Sequence, residues 1–367
     1  MRIAIIGTRG IPNHYGGFEQ FAQYLSLGLV AKGHEVWVYN SHLHPYKGNT
    51  WEGVNIVHCK DWEDKMGTAG QFFYDLNCIL DTRKKQIDVL LQLGYTSSSV
   101  WGKLLPKKAF VITNMDGLEW KRSKFSKKVQ YFLKQAEKWA VNTSDHLVAD
   151  SIGIQQHLKN SFDVAATYIP YGADVFHSPN IEALKEYNLQ EFNYAMLVAR
   201  MEPENNVETI LDGFDRSGEK KTFLVVGKTE NAFGTYLKDK FRENPNIKFL
   251  GGIYDINILN NLRYFTAAYF HGHSVGGTNP SLLEAMSSNA FIVANDNIFN
   301  KSILGEDALY FSTSDDVAQI LTKDLSLKRD VYTKNNIRKI ETLYTWDKII
   351  NDYEELFVKL AKYPLNK

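Results

Sequence analysis

Between His271 and Met286 the chain reads His-Gly-His-Ser-Val-Gly-Gly-Thr-Asn-Pro-Ser-Leu-Leu-Glu-Ala-Met. These residue types suit the capture of an anion. Gly272, Gly276 and Gly277 let the backbone turn tightly and let a ligand come close. Asn279 followed by Pro280 predicts a helix start, with Asn as N-cap and Pro at the first helical position. Free peptide N–H groups at such a start, together with the helix dipole, attract phosphate. Gly276, Gly277, Thr278, Asn279 and Ser281 would line that turn. Glu284, about one turn further along, can accept hydrogen bonds from sugar hydroxyls. One reading is a site for the diphosphate and ribose of a nucleotide sugar. The other is a capped core helix in which Ser281 and Glu284 form a capping box.

Two nearby patterns point to other chemistry and fail. Gly272-His273-Ser274-Val275-Gly276 matches the nucleophile elbow of α/β-hydrolases, but that class needs a His later in the chain. All ten histidines lie at or before His273. Gly227-Lys228-Thr229 resembles the tail of a phosphate-binding P-loop, yet the motif's first glycine would fall at Thr222. His42-x-His44 and His271-x-His273 can each put two imidazoles on one strand face. Neither has a third ligand at metal spacing, and both are read as non-metal.

The elements that must carry these residues follow from hydrophobic pattern. Residues 3–6 predict a buried parallel strand, followed by a loop, a helix opened by Gly16-Gly17, and a strand at 35–39. This order is a βαβ unit. The glycine pair at a helix start is a second candidate anion site, without the dinucleotide fingerprint. Residues 40–70 show no clear period. Strands recur at 89–93, 110–113 and 146–149, with a long helix near 127–142. Ile169-Pro170-Tyr171-Gly172 reads as a linker. A second series then has strands at 194–199, 223–226, 247–250, 267–270, 291–294 and 309–311, with a helix at 204–216. A last helix from Thr345 carries Trp346, Ile349, Ile350, Tyr353, Leu356, Phe357 and Leu360 at helical spacing. Alternation of this kind predicts doubly wound α/β domains, which bind ligands beyond the carboxyl ends of their strands. Polar residues expected there are Arg9, Tyr95, Asp116, Asp150 and Arg200.

At 367 residues the chain is long enough for two domains. Its 44% hydrophobic and 23% charged content is ordinary for a globular protein. Net charge is zero, but residues 1–172 carry +5 and residues 173–367 carry −5. Residues 103–138 hold ten basic side chains against three acidic. Within them Lys121, Arg122, Lys124, Lys127 and Lys128 form a run that suits an anionic membrane surface or an acceptor pyrophosphate, or is simply a solvated helix face. Nucleic acid is not an expected partner. Cys59 and Cys78 lack metal or redox spacing and suggest a reducing compartment. No apolar run reaches membrane-spanning length and no leader precedes the first strand, so a cytoplasmic location is expected. Asp-x-Asp occurs nowhere, which removes the usual metal–diphosphate anchor of single-domain sugar transferases.

Five stretches carry a family resemblance. They are Gly-Thr-Arg-Gly-Ile-Pro at 7–12, Tyr-Gly-Gly-Phe-Glu at 15–19, Asp-Gly-Leu-Glu-Trp-Lys-Arg at 116–122, Ala-Arg-Met-Glu-Pro-Glu-Asn-Asn at 199–206, and the 271–286 run. With them the chain resembles retaining glycosyltransferases of family 4, most closely bacterial rhamnosyltransferases of polysaccharide synthesis. The resemblance implies a GT-B fold, α/β, with two Rossmann-like domains facing a cleft. It divides the chain into an acceptor-binding domain at 1–172, a nucleotide-sugar-binding domain at 173–345, and a helix at 346–367 returning to the first domain.

The implied reaction moves a hexose with retention and without metal or cofactor. The donor would be dTDP-L-rhamnose and the acceptor a lipid-diphosphate-linked sugar at the inner membrane face. Another nucleotide hexose (galactose, fucose or glucose), a hydrolase using Ser274, and a sugar-nucleotide epimerase are the alternatives. The resemblance places Glu284 on the ribose, Arg200 on the diphosphate, and Gly252–Tyr254 by the base. Backbone N–H groups would come from Gly16, Gly17 and Gly276–Thr278. Asp116 and then Asp150 are the candidates to orient the acceptor. Two departures stand out. Gly276 replaces the family's glutamate on the sugar, and Asn205 replaces its diphosphate lysine, so Arg9 or Lys228 is expected to meet phosphate charge.

Overall fold

The computed structural model describes residues 1–14, 16–122 and 124–362. Tyr15 of the 15–19 motif and the last five residues of the 346–367 segment lie outside them. The chain divides into two compact units. The first comprises Met1–Trp120, Ser126–Tyr171 and the segment from Trp346 onward. The second comprises Lys121–Phe125 and Gly172–Thr345.

The first unit holds eight strands: β1 (Arg2–Ile6), β2 (Glu35–Ser41), β3 (Thr50–Trp51), β4 (Val54–Cys59), β5 (Val89–Leu93), β6 (Phe110–Asn114), β7 (His146–Ala149) and β8 (Thr167–Tyr168). They line up as β3-β4-β2-β1-β5-β6-β7-β8, and only the β3–β4 pair is antiparallel. Ile3, Ala4, Ile5 and Ile6 of β1 are fully buried on both faces, as a central parallel strand requires. β4 lies within the stretch that showed no period. Its apolar Val54, Ile56 and Cys59 alternate imperfectly with Asn55, Val57 and His58, which hides the strand in the sequence.

The helix Trp346–Ala361 belongs to this unit and packs along the helix Gly17–Ala31. Tyr24 stacks on Trp346 with ring centroids 4.2 Å apart. Gly28 leaves room for Ile350, since a Cβ there would sit 2.4 Å from its Cδ1. At the far end Glu354 pairs with Lys32 and His34.

The second unit holds β9 (Tyr194–Val198), β10 (Thr222–Val226), β11 (Ile247–Gly251), β12 (Ala268–His271), β13 (Ile292–Asn295) and β14 (Leu309–Phe311). All are parallel, in the order β11-β10-β9-β12-β13-β14. One core packs Leu197, Phe223, Val225, Phe270 and Val293 of this sheet against Ile210, Leu211 and Phe214. Those three lie on the helix Val207–Ser217, which begins later than residue 204. Pro203–Asn205 forms a 3-10 turn, and Asn206 at φ 49° separates it from the helix.

Among the parallel strands of each sheet the order reverses once, between β1 and β5 and between β9 and β12. The carboxyl ends of the strands at such a reversal are the crevice position where ligands usually bind in open α/β sheets. Among the described residues no helix is long and apolar enough to cross a membrane.

Candidate active site

The crevice of the second unit is flanked by the loop after β9, residues 199–206, and the loop after β12, residues 272–279. Hydrogen bonds stitch the two together. Ser274 Oγ and Ser274 N both donate to the Glu204 carbonyl (2.8 and 3.1 Å), and Asn206 Nδ2 donates to the Gly272 carbonyl (2.8 Å). Asn205 Nδ2 donates to the Arg200 carbonyl at 2.8 Å. Asn205 therefore braces the turn where the resemblance expects a lysine. Gly272 is obligatory by space: a Cβ there would lie 2.0 Å from the Asn205 carbonyl oxygen. The Ser274 hydroxyl serves as a loop brace, which leaves no nucleophile elbow.

Asn279 caps the helix Pro280–Ser287 by accepting from Ser281 N (2.9 Å), with Pro280 at the first helical position. The capping box does not form. Ser281 Oγ lies 2.7 Å from the Tyr269 hydroxyl, and Glu284 Oε2 accepts from Arg263 Nη2 at 2.7 Å. Gly276 has φ 130° and open space where a side chain would project, so no carboxylate stands there. Thr278 is buried. Gly277 completes the turn.

Arg200 stands exposed just beyond β9. Among the described residues its guanidinium makes no hydrogen bond or ion pair, which leaves it available to an anion. Lys228, in the loop after β10, lies over the ring of Tyr254, 5.6 Å from its centroid. Tyr254 is itself 73% exposed. Gly227 lets that loop close on the β9 loop, for its Cβ would meet the Ala199 carbonyl at 1.9 Å.

Sequence reasoning missed one residue, Arg263, and read two others, His271 and His273, only as non-metal imidazoles on one strand face. Arg263, on the helix Ile256–Tyr264, is fully buried and holds Glu284. His271 and His273 stack 4.5 Å apart, continued by Tyr269, on one face of β12 and just beyond it. Period-2 spacing of 269, 271 and 273 was the available signal. Burial, then the charges of Arg200 and Arg122, push His273 down to about 3. Burial, His273 and Arg263 hold His271 well below the ordinary range. Both rings are neutral donors and acceptors among guanidinium groups. Both ring nitrogens of His271 and Nδ1 of His273 lack protein partners.

The basic run is divided by the fold. Arg122 pairs with Glu204 at 3.5 Å and Lys124 with Glu202 at 3.2 Å, both within the second unit. Residues 121–125 thus leave the first domain that the sequence assigned them to.

In the first unit, Gly16 is the N-cap of the helix Gly17–Ala31. Glu19, in its first turn, accepts from Thr8 Oγ1 (3.0 Å) and Arg9 N (2.8 Å), folding the β1 loop onto the helix start. Arg9 is held bidentately by Glu63, at 3.0 and 2.7 Å, so its charge is already met by a carboxylate. Asp116 follows β6 and Asp150 follows β7. The buried phenol of Tyr171 is raised by burial and then by the charges of Asp116, Asp150, Tyr353 and Glu19. The carboxyl ends of β1, β6 and β7 thus gather three carboxylates around one tyrosine. Asp116 is partly exposed, whereas Asp150 is fully buried. Tyr95 is also buried, and its hydroxyl donates to the Gly117 carbonyl at 3.4 Å. Among the described residues no group of three or more His, Cys, Asp or Glu is placed to hold a metal ion.

Two parallel sheets, each with its loops opening at a strand-order reversal, define the GT-B class of fold. Comparisons with solved structures agree. The chain matches sucrose-phosphate synthase from Thermosynechococcus elongatus with TM-score 0.78 at 14% identity, covering 98% of each chain. It matches Anabaena HepE in complex with UDP-glucose with TM-score 0.77 at 13% identity, covering 98% of this chain and 99% of that one. It matches α,α-trehalose 6-phosphate synthase from Burkholderia multivorans with TM-score 0.71 at 11% identity, covering 98% and 97%. At such identities the likeness is one of fold. A family described as a domain of unknown function (DUF1972) matches residues 1–174. No curated protein matches the chain in sequence.

Proposed function

We propose that this protein is a retaining glycosyltransferase that moves a hexose from a nucleotide sugar, L-rhamnose from dTDP-L-rhamnose, onto a lipid-diphosphate-linked sugar. The observation that carries the reading is the braced crevice of the second unit. There Arg200 and the N–H groups of the 276–279 turn belong to two adjoining loops, and partly exposed Glu284 lies on the helix that the second loop enters. The solved structures of similar fold are named as sugar-phosphate synthases or as complexes with UDP-glucose, which supports a nucleotide-sugar donor.

In this scheme the donor diphosphate lies against Arg200 and the turn amides. Lys228 reaches it from the next loop. Glu284 accepts from the sugar of the nucleotide, and Tyr254 offers its exposed ring to the base. The leaving phosphate oxygen takes the acceptor proton on the face from which the acceptor attacks, giving retention. The protein supplies position and charge stabilisation. The first unit takes the acceptor, and Asp116 orients its hydroxyl. The full burial of Asp150 suits support of that loop better than ligand contact. No cofactor or metal is assigned a step. Gly276 leaves the transferred sugar without a carboxylate partner, consistent with a 6-deoxyhexose.

The test is a panel of dTDP-, UDP- and GDP-hexoses, followed by thermal shift and by release of nucleoside diphosphate with and without chelator. dTDP-L-rhamnose should shift melting most, and Asp116→Asn should lower kcat with little change in donor KM. The reading fails if no nucleotide sugar shifts melting. The rhamnose assignment fails if another hexose is preferred, and metal independence fails if chelator abolishes turnover. Conversion of the donor to an isomeric nucleotide sugar, with no acceptor present and no nucleoside diphosphate released, would mark an epimerase instead.

A further inference from the structure

The helix Lys127–Thr143 buries Leu133, Ala136, Glu137 and Ala140 along one stripe. Its exposed residues include Lys127, Lys128, Lys134 and Lys138 and no carboxylate. Glu137 is the only acidic residue between Trp120 and Ser144, and it lies inside. There it accepts from Trp120 Nε1 at 3.2 Å and His157 Nε2 at 2.9 Å. A solvated helix face ordinarily mixes signs, with acidic and basic residues four apart. This one carries a single sign.

The same helix exposes apolar surface. Tyr131 is 68% exposed, and Val129 and Trp139 each somewhat over a third. A chain of rings extends from it: Trp139 to Phe132 at 6.0 Å, and Phe132 to Phe72 at 5.8 Å. The next residue, Phe73, packs on Trp62 at 5.1 Å. Trp62, Phe73 and the neighbouring Met66 are exposed, with Lys60 over the Trp62 ring and Lys65 beside it. Asp64 is the one exposed carboxylate along this border.

Lysine heads above apolar stems, and tryptophan and tyrosine at a water boundary, are the composition of an interfacial surface. We infer that this face of the first unit docks on an anionic lipid bilayer. The basic residues engaged are Lys127, Lys128, Lys134 and Lys138, and not Arg122 or Lys124, whose carboxylate pairs in the second unit take them out of the reckoning. Nucleic acid is disfavoured because the chain carries no net positive charge and its second half is acidic. The inference adds a partner to the function proposed above, since a lipid-borne acceptor is met at a bilayer. It does not depend on turnover.

The experiment is co-sedimentation of the full chain with phosphatidylcholine vesicles, alone or mixed with phosphatidylglycerol. The protein should sediment with the mixed vesicles only, and high salt should release it. Lys134→Glu/Lys138→Glu should weaken binding at least about tenfold, given the charge attraction per lysine near such a surface. Lys220→Glu/Lys221→Glu, the same charge change on exposed lysines of the second unit, should leave it intact. Tyr131→Ser should weaken binding several-fold without altering melting. If a double variant fails to fold, Lys134→Gln and Lys138→Gln singly replace it. Equal loss from both reversals would mean attraction by net charge alone and overturn the assignment. So would binding to neither vesicle, or self-association broken by Tyr131→Ser, which would make this an interface between copies. Thermal shift by nucleotide sugars is read on the same variants, so failure here is distinct from failure of the donor assignment.

Discussion

Arg263 Nη2 donates to Glu284 Oε2 at 2.7 Å, and the two residues differ sharply in surroundings. The guanidinium is fully buried, and the Glu284 side chain is 23% exposed. Asn260 Oδ1 takes Nη1 at 3.1 Å, and the Tyr269 ring lies 5.9 Å away. Among the described residues, Glu284 is the one carboxylate that the buried cation meets. One oxygen is thereby fixed on the buried guanidinium, while the side chain keeps a partly exposed edge.

Glu284→Gln should therefore do two things. It should weaken nucleotide binding, seen as a raised donor KM. It should also leave a buried cation uncompensated, which costs about 3–5 kcal/mol for a buried pair, at the lower end here because Glu284 touches water. Arg263→Met/Glu284→Gln should be less destabilised in urea than the two single changes summed. Full additivity would show that the pair is not coupled.

The glycines of the two units make opposite predictions. Gly272→Ala should force the braced loops apart, destabilising by about 1–3 kcal/mol and lowering donor affinity. Gly16→Ala meets only Glu19 Oε2 at 3.4 Å, an ordinary contact, in a backbone conformation open to any residue. It should melt within about 0.5 kcal/mol of the parent. Activity lost by Gly16→Ala at unchanged stability would show that a ligand approaches that backbone. Unchanged activity would remove Gly16 from the site.

What the sequence made legible was local. The Asn279 cap and Pro280 depend on neighbours one to three residues away, and so do the strand ends. The failures are long-range. Ser281 and Glu284 are spaced for a capping box, but Tyr269 and Arg263 compete for the same atoms and win. Arg263 has no signal of its own, since nothing in a helix sequence says which arginine faces inward. The run 121–128 reads as one basic feature. Glu202 and Glu204, about 80 residues away, claim Lys124 and Arg122. Arg9 reads as a phosphate ligand until Glu63 is brought beside it.

His271 and His273 predict a stability profile with a definite sign. Their folded pKa values lie below the ordinary value, with His273 at about 3. Between that value and about 6.5 the unfolded chain binds more protons than the folded one, so stability rises with pH across the window and is level above it. Their contribution to melting temperature should climb from about pH 4 to about pH 6.5, against the opposite contribution of buried Asp75. His273→Asn, which keeps a polar group without the titration, should flatten part of the climb. An equal slope in the variant would assign the effect to other groups. Nucleotide affinity should show no step from His273 between about pH 6 and pH 8, since the ring is already neutral in the free protein.

Asp75, in the first unit, predicts the reverse slope. Its carboxyl is buried on the helix Gly70–Thr82, where Ser97 Oγ donates to Oδ2. Burial raises it to about 7, helped by Asp61 and opposed by the Ser97 bond. From about pH 4 to about pH 7 the folded chain holds a proton here that the unfolded chain has lost, so this group's contribution to stability falls as pH rises through that window and is level above. Asp75→Asn supplies a neutral group of the same shape. Its advantage over the parent in urea denaturation should be small near pH 4, grow with pH, and level off above about pH 7. A variant whose advantage is the same at every pH, or that is less stable at pH 8 than the parent, would show that the carboxylate ionises in the fold without cost.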